Sequence, residues 1–529
     1  MATTGESERS MKQRVSGLCS HLTETIWRPL MTSPATTPAL FLLFFLLVVG
    51  ALFSTGLLDR TTIAGISALK SVTTKTTPTD TSIIPKIPPK KKEIPPNCTP
   101  LNMTSTYPTK NSTANQEDLN GTSPATCPEY FRWIHEDLKA WAHTGISREL
   151  VERTKARADF RLVIVDGQAY MERYHKSFQT RDVFTLWGIL QLLRKYPGKL
   201  PDLDLMFDCN DRPATQSNYY NGPHAPAPLP LFRYCSVDDS VYLLFPDWSF
   251  WGWPEINIKP WKPLLEDIKV GNNRIRWMER EPHAYWKGNP DYIGGRQELL
   301  KCNVTKHQDW NARVYIQDWR KETQEGFKQS DLASQCTHRY KIYIEGIGWS
   351  VSEKYILACD SITLFVKPHY YDFFTRGLVP LHHYWPIKAD DKCKSIKFAV
   401  DWGNHNEQKA QAIGKAASEF TQNDLKMDYV YDYMLHLLTE YAKLLTFKPT
   451  IPQNAVAISS ETMICEANGL EKKFMMESME KGPAEASPCV IPPPFDPPSL
   501  YGNLSRNKNS IKQVELWQKN YWDSQNKHS

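Results

Sequence analysis

Residues 339–366 read RYKIYIEGIGWSVSEKYILACDSITLFV, and this stretch decides the fold class. The apolar-rich run Tyr340–Ile344 has the composition of a buried strand and ends at Glu345. Gly346 and Gly348 follow and allow backbone to approach closely. Ser350 or Ser352 can cap a helix that carries Lys354 in its first turn, and a second apolar run, Ile362–Val366, comes after it. Strand, glycine turn, helix and strand in this order are the unit of an α/β protein with parallel pairing. The turn can also cradle an anion, because backbone N–H groups and a helix N-terminus face it. An ordinary strand–turn–helix connection has the same pattern.

The alternation extends in both directions. Strands are expected at Phe160–Val165, Leu203–Phe207, Val241–Phe245, His283–Lys287 and Ala312–Ile316. Helices are expected at 129–141, at Arg181–Tyr196, from about Arg296, near Tyr370, and over 407–445 with a break at Asn423–Asp424. Asp166–Gly167 signals a turn. About 320 globular residues exceed one doubly wound sheet, so two such domains facing a cleft are expected. Their spans are 127–275 and 276–445, the second including the terminal helices; a Pro-rich, polar tail occupies 446–529. Cys465 and Cys489 in that tail offer ways to staple it to the body.

Residues 39–58 form an uncharged apolar run of about 20 residues, long enough to span roughly 30 Å of hydrocarbon. It lies too far from the start for a cleaved signal peptide, so a single transmembrane signal anchor with a cytosolic tail over 1–38 is expected. Residues 59–126 are rich in Thr, Ser, Pro and Lys and predict a disordered stem. Four glycosylation acceptors fall in it (Asn97, Asn102, Asn111, Asn120), with two more at Asn303 and Asn503. Ten of the 11 cysteines follow the apolar run, an even set that suits disulfides in an oxidising lumen, with buried thiols as the alternative for any of them. A type II, single-pass orientation follows. The net charge of +5 over 529 residues gives no concentrated basic face, which argues against nucleic acid as a partner.

Several residues can carry chemistry. Asp208 and Asp211 follow a strand, where open α/β sheets bind ligands, and a carboxylate there can take a proton from an attacking hydroxyl; capping a turn is the plainer role. Residues 242–261 hold seven aromatics in 20, fit either to stack on a sugar or to fill an interdomain space. In 284–300, AYWKGNPDYIGGRQELL, a strand leads through glycines to a helix, and Lys287 and Arg296 add charge for a phosphate. The pairs Asp202/Asp204 and Asp238–Asp239 resemble a metal-binding DxD, but the first sits at the wrong end of its strand, so no metal is expected.

The blocks from Tyr340 to Ile387, with FPDWSFWGWPE, AYWKGNP and DLMFDCNDRP, resemble the Rumi-type protein O-glucosyltransferases and capsule-associated proteins, glycosyltransferase family ninety, in the wording of its plant branch. The resemblance covers about Cys127 to Leu445. It implies a GT-B fold, two Rossmann-like domains with a UDP-sugar as donor substrate in the cleft, inversion at the anomeric carbon, and neither a cofactor nor an obligatory metal. It implies Asp211 as the catalytic base, in Asn210-Asp211-Arg212-Pro213. Nucleotide contacts are implied at Gly288, Asn289 and Arg296, and at Gly346, Ile347, Gly348, Trp349 and Ser350. The family places an Arg two residues after that Ser; here Ser352 stands there, and Lys354 is expected to supply the charge. Glucose or xylose is the expected sugar, and the acceptor a glycoprotein or a cell-wall or matrix glycan. The membrane anchor points to the Golgi, ahead of the endoplasmic reticulum. The alternative is a non-catalytic carbohydrate-binding or scaffold protein on the same fold.

Overall fold

The computed structural model describes residues 125–212, 227–291 and 294–528. The expected cytosolic tail, transmembrane span and almost all of the stem lie outside these residues. Among the described residues no helix is long and apolar enough to cross a membrane. The last two residues assigned to the stem are already anchored: Thr126 bridges to Val490, and Val490 N–H donates to Ala125 at 2.9 Å.

The first lobe is built on β1 (Phe160–Val165), β2 (Gln168–Arg173), β3 (Leu203–Phe207), β4 (Leu231–Arg233) and β5 (Leu243–Leu244). Asp166 and Gly167 both have positive φ, 51° and 75°, the geometry of a tight hairpin turn. They fold β2 back on β1, with Val165 opposite Gln168. The expectation of parallel sheets holds here only in part. β1 is antiparallel to both β2 and β3, and only β3, β4 and β5 run parallel. β5 is shorter than the expected Val241–Phe245 strand, and the chain leaves the sheet just before Pro246, which lacks a ladder N–H.

The second lobe holds β6 (Glu281–Gly288), β7 (Ala312–Ile316), β8 (His338–Tyr343), β9 (Ile362–Val366) and β10 (Trp385–Ile387), all parallel, in the order β10-β9-β8-β6-β7. This is a doubly wound order. Its direction of progression reverses between β6 and β8, and the carboxyl ends of two such strands open a crevice. Gly288 ends β6, and Glu345 lies two residues beyond β8, so the glycine-rich stretches meet at that crevice.

The helices that frame the lobes are α1 (Arg181–Lys195), α2 (Trp261–Asn273), α3 (Gly294–Leu300), α4 (Ser352–Leu357), α5 (Lys392–His405), α6 (Glu407–Asn423) and α7 (Met427–Leu444). No helix forms near Tyr370. Asp372 Oδ1 instead accepts from the N–H groups of Phe374 and Thr375, which turns the chain into one short 3-10 turn, Thr375–Gly377. α7 packs back on the first lobe, where Tyr441 Oη donates to the Asp204 carbonyl at 3.0 Å.

The tail is folded. β11 (Val456–Ile458) extends the first sheet beside β2, and Cys489 is bonded to Cys127. A 32-residue helix, α8 (Pro497–His528), lays Val514 into the core of the second lobe, and Tyr521 Oη donates to Asp401 at 2.6 Å. Two further disulfides, Cys302–Cys393 and Cys336–Cys359, lie within the second lobe, and Cys465 is also disulfide-bonded. Cys209 and Cys235 are buried free thiols, so the cysteines after residue 58 do not all pair.

Candidate active site

Where β3 ends, Asp208, Cys209, Asn210, Asp211 and Arg212 form a loop held from two sides. Asp208 is buried. Its Oδ1 accepts from the Asn210 N–H (2.9 Å) and Nδ2 (2.7 Å), and its Oδ2 pairs with Arg233. Arg233 also donates to the carbonyls of Asn210 and Arg212. Asp208 is therefore committed to shaping the loop. Asp211 differs, with its side chain about 31% exposed and one oxygen, Oδ1, 2.8 Å from Arg181 Nη1. Of the two carboxylates the sequence offers, only this one is open enough to meet a ligand.

The loop after β8 comes to the same place. Arg212 Nε donates to the Ile347 carbonyl at 3.1 Å, and Cys235 Sγ donates to the Asp211 carbonyl at 3.1 Å. A Cβ added to Gly348 would lie 2.1 Å from the Asp211 carbonyl oxygen, so only glycine permits this approach. The candidate base and the glycine turn are thus in backbone contact across the two lobes.

Arg296, in the first turns of α3, crosses the crevice. It donates to the carbonyls of Asn289 (3.1 Å), Glu345 (3.0 Å) and Ile344 (3.4 Å) and to Ser350 Oγ (3.3 Å). Among the described residues no carboxylate forms an ion pair with it. Burial pulls its pKa below the usual arginine range. A buried guanidinium met only by neutral oxygens favours the arrival of an anion. Glu345 lies near enough for its charge to act on Arg296 but, among the described residues, makes no ion pair with it. Its Oε2 accepts from the backbone N–H groups of His369 (2.8 Å) and Tyr370 (3.1 Å), while burial raises its pKa. Gly288 has no room for a side chain against the Trp286 ring, and Asn289 Oδ1 caps the N–H of Asp291.

Ser350 and Ser352 bond to each other through their hydroxyls at 2.8 Å, and the Ser350 N–H donates to Tyr343 Oη. Trp349 is buried against Tyr234 and Trp248, and its indole N–H has no partner among the described residues. Lys354 requires a correction. Its side chain is 1% exposed, and its ammonium pairs with Asp247 at 3.1 Å and donates to Ser249 Oγ at 2.8 Å. It fastens the second lobe to the first and offers no charge to a ligand in the crevice. Lys287 also points elsewhere, donating to the Gln329 carbonyl.

The aromatic stretch proves to be scaffold. Trp248, Phe250, Trp251 and Trp261 are fully buried, and Trp248 packs against Trp253, Tyr234 and Trp349. Asp204 is also structural, gripped by Arg161 at 2.7 and 2.6 Å. Arg181, Arg233 and Asp247 had no local signature, because each reaches its partner across the fold.

Residues 122–518 match the family described as Glycosyl transferase family 90. The chain is also similar to Protein O-glucosyltransferase 1 of Bos taurus, 26% identical over 63% of this chain and 85% of that protein. It is 25% identical to O-glucosyltransferase rumi of Drosophila pseudoobscura pseudoobscura, over 61% and 79% respectively. The human Protein O-glucosyltransferase 1 is 25% identical over 63% and 85%. A family match across three quarters of the chain, on lobes that meet at a doubly wound switch point, identifies this protein as a member of glycosyl transferase family 90.

Proposed function

We propose that the protein is an inverting glycosyltransferase that moves a sugar from a UDP-sugar to a hydroxyl of a glycoprotein or glycan. The observation that carries this reading is the contact between the Asp211 loop and the Gly346–Ser350 turn. It sets an accessible carboxylate beside a turn backed by a guanidinium whose hydrogen bonds, among the described residues, go only to neutral oxygens. In the proposed reaction Asp211 takes the proton of the acceptor hydroxyl as its oxygen bonds to C1 of the sugar. The bond from C1 to the phosphate oxygen breaks on the opposite face, which inverts the centre. Charge gathering on the departing diphosphate is met by Arg296 and by N–H groups of the turn. With Lys354 spent on Asp247, Arg296 carries most of this task.

Glucose is the first choice of sugar, on the names of the relatives, and xylose the second. Three described disulfides support action in an oxidising lumen, and a Golgi membrane location follows if residues 39–58 span the bilayer. The test is UDP release from UDP-glucose and UDP-xylose by the purified full chain. Asp211→Asn should lower turnover about 10²–10⁴-fold while UDP affinity is kept. Unchanged turnover in that variant removes Asp211 from the mechanism; UDP binding without any sugar transfer by the wild type supports the non-catalytic alternative.

A further inference from the structure

Arg181 is the first residue of α1, thirty positions before Asp211 in the chain. Gln179, just ahead of it, has a φ of +57°, and its Oε1 accepts from Trp253 Nε1 at 2.8 Å. This turn aims Arg181 inward, where the residue is 4% exposed. Its Nη1 forms an ion pair with Asp211 Oδ1 (2.8 Å) and donates to the Cys209 carbonyl (3.0 Å). The guanidinium lies 4.4 Å from the Trp248 ring and 5.0 Å from the Phe178 ring. Trp248 in turn meets Trp349 of the glycine turn at 6.1 Å.

We infer that Arg181 is a positioning residue for Asp211, resting on the reading of Asp211 as the base. A carboxylate on a loop samples several rotamers, and a base must present one oxygen in one direction when the hydroxyl attacks. Arg181 pairs with Oδ1, and the Asp211 side chain stays about 31% exposed, which leaves Oδ2 to face the hydroxyl. The same guanidinium is braced by the ring that touches Trp349, so the direction of Oδ2 is set relative to the turn proposed to hold the diphosphate. A structural arginine would also stiffen the loop, but Arg233 already does that through Asp208, Asn210 and Arg212.

The experiment compares Arg181→Met and Arg181→Lys with the wild-type full chain, using UDP-glucose and UDP-xylose. For Arg181→Met, kcat should fall about 10²-fold while KM for the sugar nucleotide stays within about threefold. Arg181→Lys should recover part of the loss, because an ammonium can still reach one carboxylate oxygen. A kcat within about threefold of wild type in Arg181→Met, or a loss confined to KM, overturns the inference. If Arg181→Met does not fold, Arg181→Lys decides by the same criterion: a clear loss of kcat at unchanged KM supports the role, and wild-type kcat overturns it. A crystal structure of Arg181→Lys is the arm that needs no activity. Asp211 should be displaced while residues 346–350 stay in place, and an Asp211 that keeps its orientation overturns the inference. Wild-type protein without turnover would count against the proposed function and leave this structural arm to decide the role of Arg181.

Discussion

Gly348 faces the carbonyl of Asp211 so closely that a methyl group on its Cα would sit 2.1 Å from that oxygen. The obstacle is backbone, which has no rotamer to move aside. Gly348→Ala must therefore push the two loops apart. The expected cost is about 1–3 kcal/mol of stability, with transfer reduced more than the stability loss explains. Parallel measurement of denaturant midpoint and UDP release checks this, and an alanine variant with wild-type turnover contradicts it.

Arg296 is expected to carry affinity for the diphosphate. Its hydrogen bonds run only to carbonyl and hydroxyl oxygens among the described residues, so its charge remains available. A charge-assisted hydrogen bond contributes about 1.5–3 kcal/mol, which corresponds to roughly 10- to 100-fold in affinity. Arg296→Met should weaken UDP binding by that factor in calorimetry. Arg296→Lys should restore it only in part, because an ammonium cannot span the same four oxygens.

Lys354→Met should behave differently, destabilising the fold without a specific loss of UDP affinity. It leaves Asp247 buried without its cation, and breaking such a pair from one side costs about 3–5 kcal/mol. A Lys354→Met protein of normal stability that no longer binds UDP would return this lysine to the nucleotide site.

Asp372 and Glu353 predict a pH dependence of stability. Thr375 Oγ1 lies 2.9 Å from Asp372 Oδ1 and 3.0 Å from Glu353 Oε1. Its single hydrogen can serve only one of them, so the other contact calls for a proton on a carboxyl group. Burial pushes Asp372 up to about 7, and burial with the nearby Asp372 charge raises Glu353 well above the usual carboxylate range. Unfolded carboxyls ionise near pH 4. Between about pH 4 and 7 the folded state therefore binds more protons, and this pair's contribution to stability falls as pH rises. Asp372→Asn should flatten that fall, read as a smaller difference in urea midpoint between pH 5 and pH 7 than in wild type.

Cys209 and Cys235 should resist alkylation in the native protein. Burial raises both thiols, Cys235 to about 12, so almost no thiolate is present at neutral pH. Mass spectrometry after iodoacetamide treatment should find these two positions labelled only in denaturant.

Strands with strong local character were legible at once: Phe160–Val165, Leu203–Phe207, Ala312–Ile316 and Ile362–Val366 form as the apolar runs predict. What escaped was non-local. β2 carries Gln168, Glu172 and Arg173 and shows no apolar run; it exists because the Asp166–Gly167 turn returns it to β1. α8 is polar along most of its length and buries little beyond Val514 and Gln518, so its text reads as a solvated tail. At the site, spacing and resemblance brought Asp211, Arg296 and the glycine turn together. They could not separate Lys354, whose partner Asp247 lies 107 residues earlier. Arg181 was invisible for the same reason.

The last segment of the chain has a consequence for biosynthesis. Cys127 waits for Cys489, 362 residues later, and β2 keeps an open edge until Val456–Ile458 emerges. The first lobe, whose strands β1–β5 are translated early, thus finishes its architecture only once residue 489 has left the ribosome. A premature stop between Leu445 and Cys489 would release a protein whose earlier half is incomplete.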